Sequence, residues 1–221
     1  VSEVKFEILA SCGVFNASEF ELEELTPLDK RRLSVSSKAA FTIFKRLCHE
    51  CDLETWLTSG KKLPLVFASH AGEVNRCKTL LDELRSSGFV SPTSFSLSVL
   101  NATPATLAIL TQNKSEIEAV SAVQSLENGL LAGFVMLGEF ERVLVLSYDE
   151  VLGSGEFEAV GVVLARCDFG GVSGGVAVSL SRKSGVCEVA RRGAKAEFLA
   201  NLHSGKKAWE SGAFRIQMAE K

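Results

Sequence analysis

The residues with chemistry to offer gather where Val120-Ser121-Ala122-Val123-Gln124-Ser125 leads into a helical stretch, Leu126 to Leu137, and then a strand, Arg142 to Ser147. Strand, tight turn, helix, strand is the layout that lifts a nucleophile to the tip of an elbow. The tip carries no thiol: the six cysteines are Cys12, Cys48, Cys51, Cys77, Cys167 and Cys187, and none falls between Cys77 and Cys167. Ser121 offers a hydroxyl, but a serine nucleophile needs a base within hydrogen-bond reach. The three histidines are His49, His70 and His203, and His70, which follows an apolar run, is the one placed to approach the elbow. The competing reading of Ser121 is a small residue packed at a tight turn.

Three other patterns suggest chemistry, each with a plainer explanation. Cys48-His49-Glu50-Cys51 has the spacing of a redox or zinc pair, yet no second pair follows, and both thiols fall on the apolar stripe of a helix, where cysteine acts as a small hydrophobe. The run Gly170-Gly171-Val172-Ser173-Gly174-Gly175 resembles a phosphate cradle. It leads into an alternating strand (Val176, Val178, Leu180) rather than a helix, so it reads as a turn. Arg182-Lys183, Arg191-Arg192, Lys195 and Lys206-Lys207 make the C-terminal part basic inside a chain of net charge −3, which reads as a solvated face or as a surface for an acidic partner.

With 221 residues, 46% of them hydrophobic, the chain has enough apolar surface for a sizeable core. Its acidic balance argues against a nucleic-acid-binding surface. Cysteines scattered through apolar segments suit reduced thiols in a cytoplasmic protein. The first residues open no signal peptide, and the apolar stretch from Gly129 to Leu137 is too short to cross a bilayer. No motif calls for a metal or a cofactor.

The elements that position the elbow follow from periodicity. Val4, Phe6 and Ile8 alternate with Lys5 and Glu7 as a first strand. A helix opens at Arg31-Arg32, with Ala40, Phe44, Leu47, Cys48 and Cys51 on one face. Leu63 to Ser69 is a short buried strand, and Gly72 to Ser86 a helix with Val74, Cys77, Leu81 and Leu84 on its apolar side and Gly88 to stop it. Leu126 to Leu137 has Glu127 as its one charged residue, the pattern of a helix covered on every side. After Asp149, Ala159 to Ala165, Val176 to Ser181 and Val186 to Ala190 suggest an antiparallel meander. A basic helix from Ala194 to Trp209 and a strand from Phe214 to Met218 close the chain.

Residues 30 to 150 resemble the N-terminal half of a β-ketoacyl synthase of the thiolase fold. Lys30-Arg31-Arg32-Leu33-Ser34 is similar to the Arg-rich start of that family's early helix. Leu65-Val66-Phe67-Ala68-Ser69-His70-Ala71-Gly72-Glu73 looks like its next strand and glycine turn, and Ser91-Pro92, Phe95 and Asn101 match the segment before its active-site strand. The nearest resemblance is to the short, chain-length-factor-like subunits of aryl polyene biosynthesis. Active members carry a cysteine at the elbow and two histidines from a second half of the fold. Counted forward from Asn101 the cysteine's place is taken by Gln124, and counted back from the helix it is taken by Val123. Chain-length factors likewise have glutamine there, and an amide cannot form a thioester.

The resemblance implies an α/β, thiolase-like, layered αβα core over residues 1–155 with a β-rich extension over 156–221. It implies a non-catalytic subunit without cofactor or metal, pairing with a full-length β-ketoacyl synthase to act on chains held by an acyl carrier protein. Asn101, Ala102, Leu126 and Leu130 are then expected at the subunit interface, and Phe95, Leu97 and Leu126 along the acyl tunnel. The alternatives from other classes are a Ser121-dependent acyltransferase or hydrolase and a homodimeric acyl-binding scaffold.

Overall fold

The alternation that starts at Val4 runs on well past Leu9 in the computed structural model, which describes residues 3–167, 175–183 and 192–218. Strand β1 spans Val4–Val14, and its register against a later strand slips between Ile8 and Ala10. This bulge places one extra residue in the strand and hides its second half from a period-two reading. Next come α1 (Pro27–Arg32), α2 (Val35–Cys51), α3 (Leu53–Thr58), β2 (Leu65–Ser69) and α4 (Val74–Ser87). They are followed by α5 (Pro92–Ser96), α6 (Ala102–Leu110), β3 (Ile117–Ser121), α7 (Ser125–Met136) and β4 (Arg142–Glu150). The remaining described elements are β5 (Phe157–Ala165), β6 (Val176–Arg182), α8 (Ala194–His203), β7 (Ala208–Ser211) and β8 (Phe214–Met218).

The eight described strands form one sheet in the order β3-β2-β4-β5-β1-β6-β8-β7. The pairs β3–β2 and β2–β4 are parallel and the other adjacent pairs antiparallel. Helices cover both faces. On one, α2 and α6 bury Phe41, Ile43, Phe44, Leu47 and Leu107 against Leu65, Phe67, Leu144 and Leu146. On the other, α7 and α8 set Leu126, Leu130, Phe198 and Leu202 against Val66, Val145, Val162 and Ile216. This is the αβα layering expected, a fold in which a parallel βαβ set carries an antiparallel flank.

Several boundaries move, each for a local reason. Arg31 and Arg32 end the short α1 rather than open the long helix; Leu33 breaks the run, and the Ser34 hydroxyl caps α2 by accepting from the Ser37 amide. The basic C-terminal helix stops at His203, and Trp209 belongs to β7. The late strands are not a simple meander, because β1 lies between β5 and β6. Gly88 does end α4, in the left-handed conformation. Of the α4 face expected to pack inward, Leu81 and Leu84 are exposed; Leu80 is the buried residue.

Helix α7 is covered on one side and not all round: Val135 is exposed, and Leu131, Phe134 and Met136 are half-buried. Its inner side approaches the sheet unusually closely. A Cβ at Gly133 would fall 2.7 Å from Val145 and 2.8 Å from Leu164, so only glycine lets the helix sit that near β4 and β5. The glycine run from Gly170 to Gly174, the strand expected over Val186 to Ala190, Arg191 and Cys187 lie outside the described residues. Among the described residues no helix is long and apolar enough to cross a membrane.

Candidate functional site at the elbow

Strands β2, β3 and β4 run parallel, with β3 on one side of β2 and β4 on the other. The crevice beyond their C-terminal ends, where the strand order turns, is where open α/β sheets bind ligands. Several polar groups meet there. β2 ends at Ser69 with His70 next, the turn after β3 delivers Gln124 and Ser125 to the start of α7, and Asp149 lies near the end of β4. Lys195, in the first turn of α8, reaches in from the far side of the chain.

Asp149 is the hub. Its Oδ1 accepts from the His70 amide at 2.6 Å and from the Ser69 hydroxyl at 3.2 Å. Its Oδ2 accepts from the Ser125 hydroxyl at 2.5 Å and from the Lys195 ammonium. Ser125 also lies 2.9 Å from the Ser147 hydroxyl. With four donors already on its two oxygens, the Asp149 carboxylate ties three element ends together rather than standing free to activate the Ser125 hydroxyl.

A cavity of about 560 Å3 opens over the cluster, lined on the elbow side by Val123 to Glu127 and on the opposite side by Lys195, Phe198 and Trp209 to Gly212. Gln124 is buried. Its carbonyl accepts from the Asn128 amide at 3.1 Å and from the Asn128 side chain at 2.8 Å, and its side-chain amide donates to the Ser211 carbonyl at 3.4 Å. The β7–β8 turn is thus fastened onto the elbow. Val123 is on the rim, partly exposed.

Glu127 is buried beneath the same turn, and its carboxyl accepts from the Ser211 hydroxyl. Burial pushes its pKa above the usual carboxylate value, against the opposing effect of the Ser211 bond. The fold therefore holds a proton that the unfolded chain has already released, and stability present at low pH is lost as pH rises through the folded value. Urea unfolding from about pH 4 to about pH 8 is expected to show wild-type stability falling relative to Glu127→Gln, with the gap widening toward neutrality. Parallel pH profiles of the two proteins would refute this.

The other sequence-level candidates disperse. Ser121 is exposed, and its hydroxyl donates to the main-chain carbonyl of His70 at 3.2 Å rather than to an imidazole. His203 bonds Ser11, and His49 sits in the last turn of α2. Burial raises the thiols of Cys12 and Cys48 to about 12 and that of Cys51 to about 11, which leaves them protonated and unreactive near neutral pH. The cluster's own residues were barely legible beforehand. Lys195 looked like part of a solvated basic face, yet it is buried; Lys183 and Arg192 of that face are already paired with Glu210 and Glu156. The one available signal is an aspartate next to the end of a strand whose middle, Val143 to Leu146, is wholly apolar.

Of the residues expected at a subunit interface, Leu130 is wholly buried and Leu126 nearly so, both in the chain's own core. Leu126 does line the cavity; Phe95 and Leu97 do not. Phe95 is exposed on α5 and Leu97 half-buried just after it, while Asn101 is exposed and Ala102 half-buried at the start of α6.

Comparison with solved structures places this architecture. A chain of the ketosynthase (ApeO) in complex with its chain length factor (ApeC) from Xenorhabdus doucetiae superposes with a TM-score of 0.74 at 16% identity, over 98% of this chain and 100% of that one. The ishigamide ketosynthase/chain length factor gives 0.54 at 16% identity, covering 68% of this chain and 48% of that one. A type II polyketide ketosynthase complex with its acyl-carrier protein (AntDE:AntF) gives 0.61 at 9% identity, covering 74% and 63%. This chain thus spans the full length of the first but only about half to two thirds of the other two. At such identities the likeness establishes the fold, that of the thiolase-type ketosynthases. A search of curated protein sequences finds no significant match. The sequence itself matches the profile of the β-ketoacyl synthase N-terminal domain over residues 11–209, and the chain belongs to that family.

Proposed function

We propose that this chain is a non-catalytic, chain-length-factor-like subunit that pairs with an active β-ketoacyl synthase in elongating acyl or aryl polyene chains on an acyl carrier protein. The observation that carries the reading is the elbow itself. Gln124 stands at the start of α7, its amide engaged with the β7–β8 turn, and no described cysteine lines the cavity. Condensation needs a thiolate to carry the acyl chain, so in this reading the partner supplies the cysteine and histidines. Support also comes from β3, which among the described residues is hydrogen-bonded to β2 alone and leaves its other edge, with Ile117 exposed, open for pairing. The first structural neighbour is itself a complex of a ketosynthase with a chain length factor.

In this assembly Asn101 and Ala102 face the partner, and Phe95 projects from α5 toward the partner's acyl tunnel, where its bulk limits product length. The carrier protein, which is acidic, docks through the complex. Within residues 156–221, α8 and the β7–β8 turn close the elbow.

The decisive experiment is the mass in solution of this chain alone and with the ketosynthase of the neighbouring gene, followed by product analysis. A one-to-one complex that condenses acyl units, with Phe95→Ala giving longer products, is the expected result. A chain that never binds the ketosynthase, or that alone turns over an acyl thioester in a Ser121-dependent way, would overturn the reading. Unchanged product lengths for Phe95→Ala, Leu97→Ala and Leu126→Ala would remove the length-limiting role.

A further inference from the structure

The β7–β8 turn is held onto the elbow through one residue. The Ser211 carbonyl accepts from the Gln124 side-chain amide, and the Ser211 hydroxyl donates to the Glu127 carboxyl. Gln124 and Glu127 stand three residues apart where α7 begins, so both bonds come from one face of its first turn. Gly212 beside them packs against the same Gln124 amide. The tip of the turn is the least anchored part of the hairpin: Ser211 and Gly212 are half-buried, whereas Trp209 before them and Phe214 after them lie in the core. The tip has room to lift while both strands stay in place. Beneath it lies the elbow cavity, with Gln124 and Glu127 on one wall and Trp209 on the other.

We infer that the Ser211 clasp is a proton-controlled gate over the elbow cavity: with Glu127 neutral the tip is shut, and with Glu127 ionised it lifts and admits water and small solutes. The gate is a property of this chain alone and stands whether or not the chain pairs with a ketosynthase. A carboxylate in water accepts several hydrogen bonds, and in the closed site Glu127 has only the Ser211 hydroxyl and its own amide to accept from. Lifting the tip lets water supply the rest. The charges that face Glu127 do not remove this cost. Asp149 of β4 opposes its ionisation; Lys195 of α8 favours it, but that ammonium is already bonded to Asp149. Further round the cavity are His70, Glu150, Glu158, Glu197 and Glu210, with the Glu156–Arg192 pair. Lys183 holds the Glu210 carboxyl below the usual range, so it stays ionised near neutral pH. Burial, the largest influence on Glu127, raises its value. The closed tip is therefore favoured at low pH and loses that advantage as pH rises through the raised value, each unit of the rise being worth about tenfold in the ratio of open to closed.

The indole N–H of Trp209 reads the gate. It is buried in the cavity wall and has no hydrogen-bond partner among the described residues, so its exchange with water waits on access rather than on breaking a bond. The chain has two tryptophans, and Trp56→Phe leaves Trp209 as the single reporter. Exchange of its indole proton is followed by NMR and corrected for the intrinsic rate at each pH. From about pH 5 to about pH 8 its protection is expected to fall about tenfold in this background, and to stay flat once Glu127→Gln is added. Adding Ser211→Ala instead is expected to leave protection low at both ends of the range. A flat profile with Glu127 in place overturns the gate. So does an equal fall in the Glu127→Gln protein, which keeps His70 and every other cavity charge, and so does full protection in the Ser211→Ala protein. Main-chain amides of Val143 to Leu146 in β4 report unfolding of the whole chain. Trp209 exchange no faster than theirs would mean that the chain unfolds and the tip does not lift, which also overturns the gate.

Discussion

Replacing Asp149 with alanine is expected to lower the unfolding free energy by about 3–5 kcal/mol, the range seen when one member of a buried ion pair is removed. Lys195 has a side chain only 7% exposed, so its ammonium would be left in the interior without a counter-charge. Three more donors, the His70 amide and the Ser69 and Ser125 hydroxyls, would lose their acceptor at the same time. Lys195→Met should cost less, because the Asp149 carboxylate keeps those three donors and has some access to water. The double variant Asp149→Asn/Lys195→Met should recover much of the loss, since no unpaired charge remains. Urea unfolding of wild type, Asp149→Ala, Lys195→Met and Asp149→Ala/Lys195→Met closes a double-mutant cycle and gives the coupling energy. Hydrogen exchange should place the damage in α8 and in the first turn of α7. A loss below about 1 kcal/mol for Asp149→Ala would mean that the pair is solvated and holds nothing together.

The second large effect is expected at Gly212. Its φ of +54° is a left-handed conformation, and a Cβ there would lie 1.3 Å from the Gln124 amide nitrogen. Gly212→Val therefore combines backbone strain in a β-branched residue with displacement of a buried side chain, a total of about 3 kcal/mol. Gln124→Ala alone should cost about 1 kcal/mol, the worth of one hydrogen bond. Combined with Gly212→Val it should restore the part due to collision and leave the part due to φ. A double-mutant cycle showing strict additivity would refute the contact between elbow and turn. The outcome bears on the proposed function, because it asks whether Gln124, which that reading sets in the nucleophile's place, serves to fasten the C-terminal turn.

The elements and the elbow were legible because they are local. Alternation at Val4, Phe6 and Ile8, the stop at Gly88 and the run Phe214 to Met218 each mark a face or an end within a few residues, and β8 spans that last run. That no cysteine falls between Cys77 and Cys167 is likewise a fact of the sequence alone, and the motifs from Lys30 to Asn101 carry the family. Periodicity says which side of an element is apolar but not what will cover it. That is why periodicity assigns Leu81 and Leu84 to a core they do not join, and α7 to burial on all sides.

What only the tertiary structure decided is long-range. The insertion of β1 between β5 and β6 depends on hydrogen bonds between strands remote in sequence, and a bulge near Leu9 erased the one local clue. The Asp149–Lys195 pair joins residues 46 apart, and Gln124 meets Ser211 across 87. A charged residue in a basic stretch reads as solvated until the fold supplies a buried partner. The sequence by itself therefore determined the layered fold, the family and the absence of a thiol at the elbow. The hub at Asp149, the closure over Gln124 and the uncovered face of α4 were decided only when the chain brought distant side chains together, because pairing and burial belong to the packed molecule and not to any local run of residues.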